Sequence, residues 1–427
     1  MLKKILQKKI GGLAKQIVLV HKPEIIGITG SVGKTTTKEA IAAVLQSRFM
    51  IRASFKNYNN EIGLPLTVIG EESPGRSITG WTSVIQKAKK VISNSQVAYP
   101  EMLVLEMGVD HPGDMDYLTS IVKPTRAVIT RLGTAHLEFF SSVNELHQEK
   151  LKLAKALGEE GILIYNFEDT ALHTACSDFP VRMISYGISQ GADVKATNVS
   201  LNISLEKNDI GMTFKLEYDG SVVPVFIPGL LSTPSLLAAL AGAAVGFSYG
   251  INGIEVSQAL QNFKLPAGRM NLVAGKNNVL IIDDSYNSSP EAVIESLETV
   301  LGLPKDQYNK SWIVLGDMRE LGKDSQTAHK NIGIFCAEKN FDFLVTVGEE
   351  AKLISQNALE VKMSADRIHH FPDSESAAEF LKQHISEKDV VLIKGSQAVR
   401  MEKIVKQLMK NPERASELLV RQGSEWM

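Results

Sequence analysis

The chain has 427 residues, enough for two or three domains each with its own core. Its 46 basic and 48 acidic residues leave a formal net charge of −2, which argues against a polyanion binder, so no nucleic-acid partner is expected. Apolar and charged fractions of 44% and 22% are those of a globular protein, and Cys176 and Cys336, far apart and without metal-ligand spacing, read as reduced buried thiols of a cytoplasmic protein.

Residues Met1 to Val20 set Leu2, Ile5, Leu6, Ile10, Leu13 and Ile17 between Lys3, Lys4, Lys8, Lys9 and Lys15. This is a basic amphipathic helix, too short and too charged to span a bilayer and without a signal-peptide core. It suits an anionic lipid surface, or a berth on its own domain or on a partner.

Glu24 to Thr29 is a short β-branched run, Gly30 to Gly33 a glycine-bounded turn, and Lys34 onward has helix-forming composition. Strand, loop and helix in that order make a phosphate cradle, because glycines let backbone N–H groups close on phosphate oxygens and the helix start adds its positive end. The long form G-x-x-x-x-G-K-[ST] fails at its first glycine, where Ile28 stands, and T-G-S-V-G-K-T remains. Gly30, Ser31, Val32, Gly33, Lys34, Thr35 and Thr36 are expected to bind ATP, with Lys34 neutralising the terminal phosphates and the Thr35 hydroxyl holding Mg²⁺.

A second strand is predicted at Met50 to Ser54, followed by a turn through Asn59, Asn60, Gly63 and Pro65 that re-enters a helix. Met102 to Glu106 is a buried parallel-type strand ending in a carboxylate. Glu106 therefore falls over the ligand crevice of the sheet, where it can reach Mg²⁺. Arg126 to Thr130 is another strand, and His136 follows just beyond its end, at the same edge of the sheet. The helix Val143 to Leu157 carries Glu149, Lys150, Lys152 and Lys155, which read locally as a solvated face.

After a strand at Gly161 to Asn166, period-two runs between Val181 and Pro228 predict a small antiparallel sheet. Helices follow at Ser232 to Tyr249 and Gly253 to Phe263, then K-L-P-A-G-R-M, Lys264 to Met270, as a linker. Strands near Val279 to Asp283, Trp312 to Gly316, Phe343 to Gly348, Arg367 to Phe371 and Val390 to Lys394 alternate with helices. Three of them end in polar clusters, D-D-S-Y-N-S-S-P, L-G-D-M-R-E-L-G and K-G-S, at the edge where α/β domains bind ligands. The expected fold is thus α/β: a P-loop domain with a mainly parallel sheet and a small antiparallel sheet, then a Rossmann-like C-terminal domain. The expected bounds are 1–22 for the N-terminal helix, 23–267 for the ATP-binding domain and 268–427 for the C-terminal domain.

These motifs, with N-Y-N-N-E-I-G-L-P-L-T, E-M-G and A-H-L-E, resemble the Mur ligases over nearly the whole chain from Glu24 onward. The resemblance implies ATP-dependent amide formation in peptidoglycan precursor synthesis. A substrate carboxylate takes the γ-phosphoryl group of ATP, and an amine then displaces phosphate from the acyl phosphate. D-x-Y-N and L-G-D-M-x-E-L-G imply UDP-N-acetylmuramoyl-tripeptide and D-alanyl-D-alanine as the substrates; a monomer is the expected state.

By resemblance Lys34 holds the terminal phosphates, Thr35 and Glu106 bind one Mg²⁺ and His136 another. Lys150 falls where the family carries a carbamylated lysine that ligates Mg²⁺, so Lys34, His136 and Lys150 form the catalytic set. Asn60 matches a nucleotide-side asparagine, Arg269 a γ-phosphate-side arginine and Asp284 a ribose carboxylate, while Tyr286 and Asn287 share the loop of Asp284. The family's G-x-H-N-x-x-N appears as G-L-L-S-T-P-S, Gly229 to Ser235, and Ser289 replaces the second Asn of D-x-Y-N-A-N-P. With about two dozen residues ahead of the cradle, the resemblance is to a short form without the N-terminal UDP-binding domain. A family ligase joining a different acid and amine, such as a polyglutamate- or cofactor-building enzyme, and a non-catalytic nucleotide-binding homologue are the other readings.

Overall fold

The structure is a computed structural model, and it describes every residue except 1, 56–57, 95, 134–138, 177–178, 205–208, 424–425 and 427. The chain divides into two compact units, one of residues 1–200, 213–227 and 234–264, the other of 201–212, 228–233 and 265–427.

The first unit is built on β1 (Glu24–Thr29), β2 (Ile51–Ala53), β3 (Met102–Glu106), β4 (Arg126–Ile129), β5 (Ile162–Asn166), β6 (Arg182–Gly187) and most of β7 (Val194–Ser204), β8 (Asp209–Tyr218) and β9 (Ser221–Pro228); residues 201–204 of β7, 209–212 of β8 and Pro228 count with the second unit. Their order in the sheet is β2-β3-β1-β4-β5-β6-β7-β8-β9, and the strands from β2 to β7 pair in parallel. The period-two strands β7, β8 and β9 continue this sheet beyond β6. β1 and β3 are apolar on both faces, as strands covered by helices on both sides must be. Helix Thr233–Ser248 is alanine-rich and buried along most of its length; Gly242 lets it close on helix Lys34–Leu45, since a Cβ there would stand 2.9 Å from the Ala40 backbone.

The N-terminal helix, Leu2–His21, belongs to this unit. Ile10, Ala14 and Ile17 have no exposed surface and share a core with Leu64, Leu66, Val84, Met115 and Leu118. His21 stacks on Tyr99 at 4.6 Å, and its Nε2 meets the Val91 carbonyl. Of the berths the sequence allowed, the apolar stripe takes the domain's own core. Lys4, Lys8, Lys9, Lys15, Ile5 and Leu19 face solvent. Among the described residues no helix is long and apolar enough to cross a membrane.

The second unit is built on β10 (Asn271–Ala274), β11 (Leu280–Asp284), β12 (Ser311–Gly316), β13 (Phe343–Val347), β14 (Ile368–Phe371) and β15 (Val390–Lys394). The order is β10-β11-β15-β12-β13-β14, parallel except for the β10–β11 pair. Successive side chains of β12 part to opposite faces, Ile313 and Leu315 into one core, Trp312 and Val314 into the other. Cys176 and Cys336 are buried free thiols.

Candidate functional site

β3, β1 and β4 lie side by side with Ile28 opposite Glu106 and Thr29 opposite Ile129, so all three run out at one edge. The cradle is folded there by its neighbours. Thr130 Oγ1 donates to the Val32 carbonyl at 2.6 Å, and the Ser31 N–H donates to the Arg131 carbonyl at 2.9 Å. Gly30 has φ 143°, and a Cβ on it would stand 2.0 Å from Thr130 Oγ1, so only glycine fits. Gly33, at φ 81°, makes the left-handed turn into helix Lys34–Leu45. Lys34 Nζ curls back over the loop to the Gly30 carbonyl at 2.6 Å. Thr35 and Thr36 sit in the first helical turn, half-buried.

Glu106 is wholly buried at the end of β3, and its N–H is held by Ser54 Oγ at 3.1 Å. Neither carboxylate oxygen has a hydrogen-bond partner among the described residues. A buried, unpartnered carboxylate is costly, and a hard divalent cation is the group that satisfies it. No three His, Cys, Asp or Glu gather among the described residues. Among the described residues a cation at Glu106 would find hydroxyl oxygens, with phosphate and water oxygens beside them, a donor set that suits Mg²⁺. The donor set fits the metal the motif implies. His136 lies outside the described residues.

Lys150 does not lie on a solvated face. It is 2% exposed, and its Nζ donates to the Ser31 hydroxyl at 2.6 Å and to the Gly133 carbonyl at 3.2 Å. Burial, and then the nearby Lys34 charge, lower its pKa to about 7 against the partial opposition of Asp169. Its neighbours on the helix play different parts. Glu149 is also buried and accepts from Gly113 and Met115 N–H at the start of helix Asp114–Ile121, while Lys152 bridges Glu149 and Asp116.

The sequence reading missed Thr130, Ser54 and Asp169 as supports of the site. Asp169 accepts the Leu132 N–H at 2.7 Å, just past β4. Its signal was legible, since an Asp directly before helix Thr170–Cys176 is a cap pattern. Asn60 acts locally, where its Oδ1 accepts from Ile62 and Gly63 N–H at the start of helix Gly63–Ile69.

In the second unit the D-S-Y-N loop leaves β11. Asp284 is engaged on both oxygens, by the Met270 N–H at 3.2 Å, by Ser296 at 2.7 Å and by Lys394 at 2.6 Å. Lys394 also reaches the Asn287 carbonyl, and the Arg269 guanidinium lies 4.1 Å from the Tyr286 ring centre. Ser289 caps helix Pro290–Leu301, a position that Ser and Asn fill equally well. Leu231, in the G-L-L-S-T-P-S stretch, is buried in the core with Met270 and Leu280.

At the carboxyl ends of β12, β13 and β14 an open crevice of about 310 Å³ is lined by both signs of charge, including Arg319, Arg400 and Lys403 on one side of the balance and Glu349, Asp373 and Glu375 on the other. Asp317 organises it, accepting from Glu350 and Ala351 N–H and from Arg319. Gly348, at φ 107°, lets Asp317 approach, since a Cβ there would stand 2.5 Å from its Oδ1.

A phosphate cradle beside a buried acid and a buried amine, in a chain with a second doubly wound unit, defines a nucleotide-dependent α/β enzyme. Residues 28–75 and 82–243 match the family described as Mur ligase middle domain, and residues 268–397 match Mur ligase, glutamate ligase domain. The UDP-N-acetylmuramoyl-tripeptide--D-alanyl-D-alanine ligase of Bacillus subtilis (strain 168) is 30% identical over 94% of this chain and 79% of its own length. The Escherichia coli (strain K12) enzyme of the same name is 27% identical over 94% of this chain and 80% of its own. The solved MurF ligase from Thermotoga maritima in complex with ADP is 28% identical, with a TM-score of 0.77 over 96% of this chain and 84% of that one. The chain belongs to the Mur ligase family. It is an ATP-dependent, amide-forming ligase of peptidoglycan precursor synthesis.

Proposed function

We propose that this ligase adds D-alanyl-D-alanine to UDP-N-acetylmuramoyl-tripeptide, as the names of its relatives state for them. The observation that carries catalysis, over mere nucleotide binding, is Lys150. A buried amine with a pKa of about 7, held 2.6 Å from a hydroxyl of the phosphate cradle, is half unprotonated near neutral pH and can take up CO₂ as a carbamate. A nucleotide-binding homologue without chemistry has no use for it.

Lys34 would meet the β- and γ-phosphates, and Thr35, Glu106, the Lys150 carbamate and His136 would hold Mg²⁺. The metal's chemistry there is to offset charge on the transferring phosphoryl group. A tripeptide carboxylate oxygen bonds to the γ-phosphorus and ADP leaves. The dipeptide nitrogen then bonds to the acyl carbon, phosphate leaves and the nitrogen gives up a proton. Negative charge builds on the phosphoryl oxygens and then on the carbonyl oxygen, so the chain acts by placing cations and excluding water.

In the second unit Arg269 is read as facing the γ-phosphate, and Asp284, Tyr286 and Asn287 as the nucleotide-side loop. The crevice around Arg319 and Glu349 suits a zwitterion, with an ammonium at one end and a carboxylate at the other. On the N-terminal helix, lysines around the exposed Ile5 and Leu19 suit contact with an anionic membrane surface, tested by co-sedimentation with anionic and neutral vesicles. The protein is taken to act as a monomer, which light scattering checks.

The deciding experiment is phosphate release from MgATP with the UDP-tripeptide, with and without D-alanyl-D-alanine, together with product mass. Release that needs both substrates and yields the pentapeptide mass is the expected result. Protein that binds ATP but does not turn over would move the assignment to a different acid and amine.

A further inference from the structure

Arg421 lies in the tail beyond the last helix, Ala415–Leu418, and its side chain is 5% exposed. Its guanidinium forks. Nη1 donates to the Ser285 carbonyl at 3.1 Å and pairs with Glu402 at 3.0 Å, while Nη2 donates to the Tyr286 carbonyl. Glu402 is fully buried, and its other oxygen takes Arg400, which in turn reaches the Trp426 carbonyl at 3.0 Å. Both arginines have left-handed backbone, φ 57° at Arg421 and 59° at Arg400. Such a conformation at a non-glycine residue persists where the surroundings hold it, and here one buried carboxylate holds both.

The two carbonyls that Arg421 grips belong to the D-S-Y-N loop, and that loop grips the linker on either side of Arg269. The Tyr286 N–H donates to the Gly268 carbonyl at 3.0 Å, and the Met270 N–H donates to Asp284 at 3.2 Å. Between these two clips the Arg269 guanidinium rests on the Tyr286 ring. Val420, next to Arg421, closes on Gly268, 3.2 Å from where a Cβ would stand.

We infer that Arg421 is a positioning residue for Arg269: the tail fixes the D-S-Y-N loop, and the loop fixes the backbone and the guanidinium plane of the linker arginine. The inference rests on the reading of Arg269 as a phosphate-facing group. It extends the support of the active site to a segment about 150 residues further along the chain.

The test is a double-mutant cycle of wild type, Arg421→Lys, Arg269→Ala and the double variant, read as kcat for product formation, with a thermal melt of each. Lysine keeps the charge facing Glu402, so the protein folds, but it lacks the fork that spans two carbonyls. Arg269→Ala is expected to lower kcat about 100-fold, the scale of one lost transition-state donor. Arg421→Lys is expected to lower it about tenfold with the KM for ATP little changed, and to add nothing in the Arg269→Ala background. The same loss in both backgrounds would mean a general structural role and overturn the inference, as would no loss in wild type while Arg269→Ala keeps its own. A harmless Arg269→Ala would instead sink the phosphate-facing reading, and the inference with it, a result no other arm gives.

Discussion

Lys150 and Glu106 oppose each other as single residues: one is a cation held where cations are disfavoured, the other an acid whose oxygens have no hydrogen-bond partner among the described residues. For Lys150 the pKa falls from 10.5 to about 7 on folding, so between those values the unfolded chain holds more protons than the native one. The stability penalty of this lysine is therefore full below pH 7 and is relieved as pH rises toward 10.5. Its free amine, the form that adds CO₂, increases over the same direction through pH 7. Turnover at limiting bicarbonate should rise with pH across about 6 to 8, and Lys150→Ala should lose most activity and regain part of it with short carboxylic acids. Undiminished turnover without them would return Lys150 to a structural part. For Glu106 the prediction has two signs. Glu106→Gln removes a buried charge with no hydrogen-bond partner among the described residues, so the nucleotide-free protein should gain about 1–3 kcal/mol in a denaturant melt, while MgATP-dependent turnover falls at least about 100-fold. A variant that lost both stability and turnover would show that Glu106 is a structural acid.

Among the elements, what was legible in the sequence was what is local. The cradle and the strand ends at Glu106 and Asp284 are each written within a few neighbouring residues, and the structure puts them at the edges of two sheets. Contacts between distant segments were not legible. Lys150 meets Ser31 across 119 positions, and from its own helix it is one charge among five. Arg421 and the loop it grips are as far apart. The N-terminal helix shows the same limit, because its apolar stripe announces burial but not against what. Since Ile10 sits in the first unit's core, Ile10→Ala should cost about 2–5 kcal/mol in a chemical melt, and a change of a few tenths would mean the helix is not docked. In the cradle Gly30→Ala meets both the Thr130 hydroxyl and a φ that alanine avoids, so ATP binding should be lost with a destabilisation of about 1–3 kcal/mol, read by titration calorimetry and a melt.

At the level of the whole molecule the two units carry different kinds of group. Residues suited to phosphate and metal, Lys34, Thr35, Glu106 and Lys150, belong to the first; the crevice with charges of both signs, at Arg319 and Glu349, belongs to the second. If activation of the acid is the work of the first set and recognition of the dipeptide that of the second, the two halves of the reaction can be separated chemically. Hydroxylamine, a small nucleophile that needs no dipeptide site, should trap the activated tripeptide as a hydroxamate. Arg319→Ala should then make hydroxamate at close to the wild-type rate while its kcat/KM for D-alanyl-D-alanine falls about 10- to 100-fold, the scale of one lost charged hydrogen bond. Lys34→Ala should make neither product, because without its charge at the cradle no activated acid forms. Equal loss of both products in Arg319→Ala would place the crevice in activation instead, and unaltered dipeptide addition would remove it from the reaction altogether.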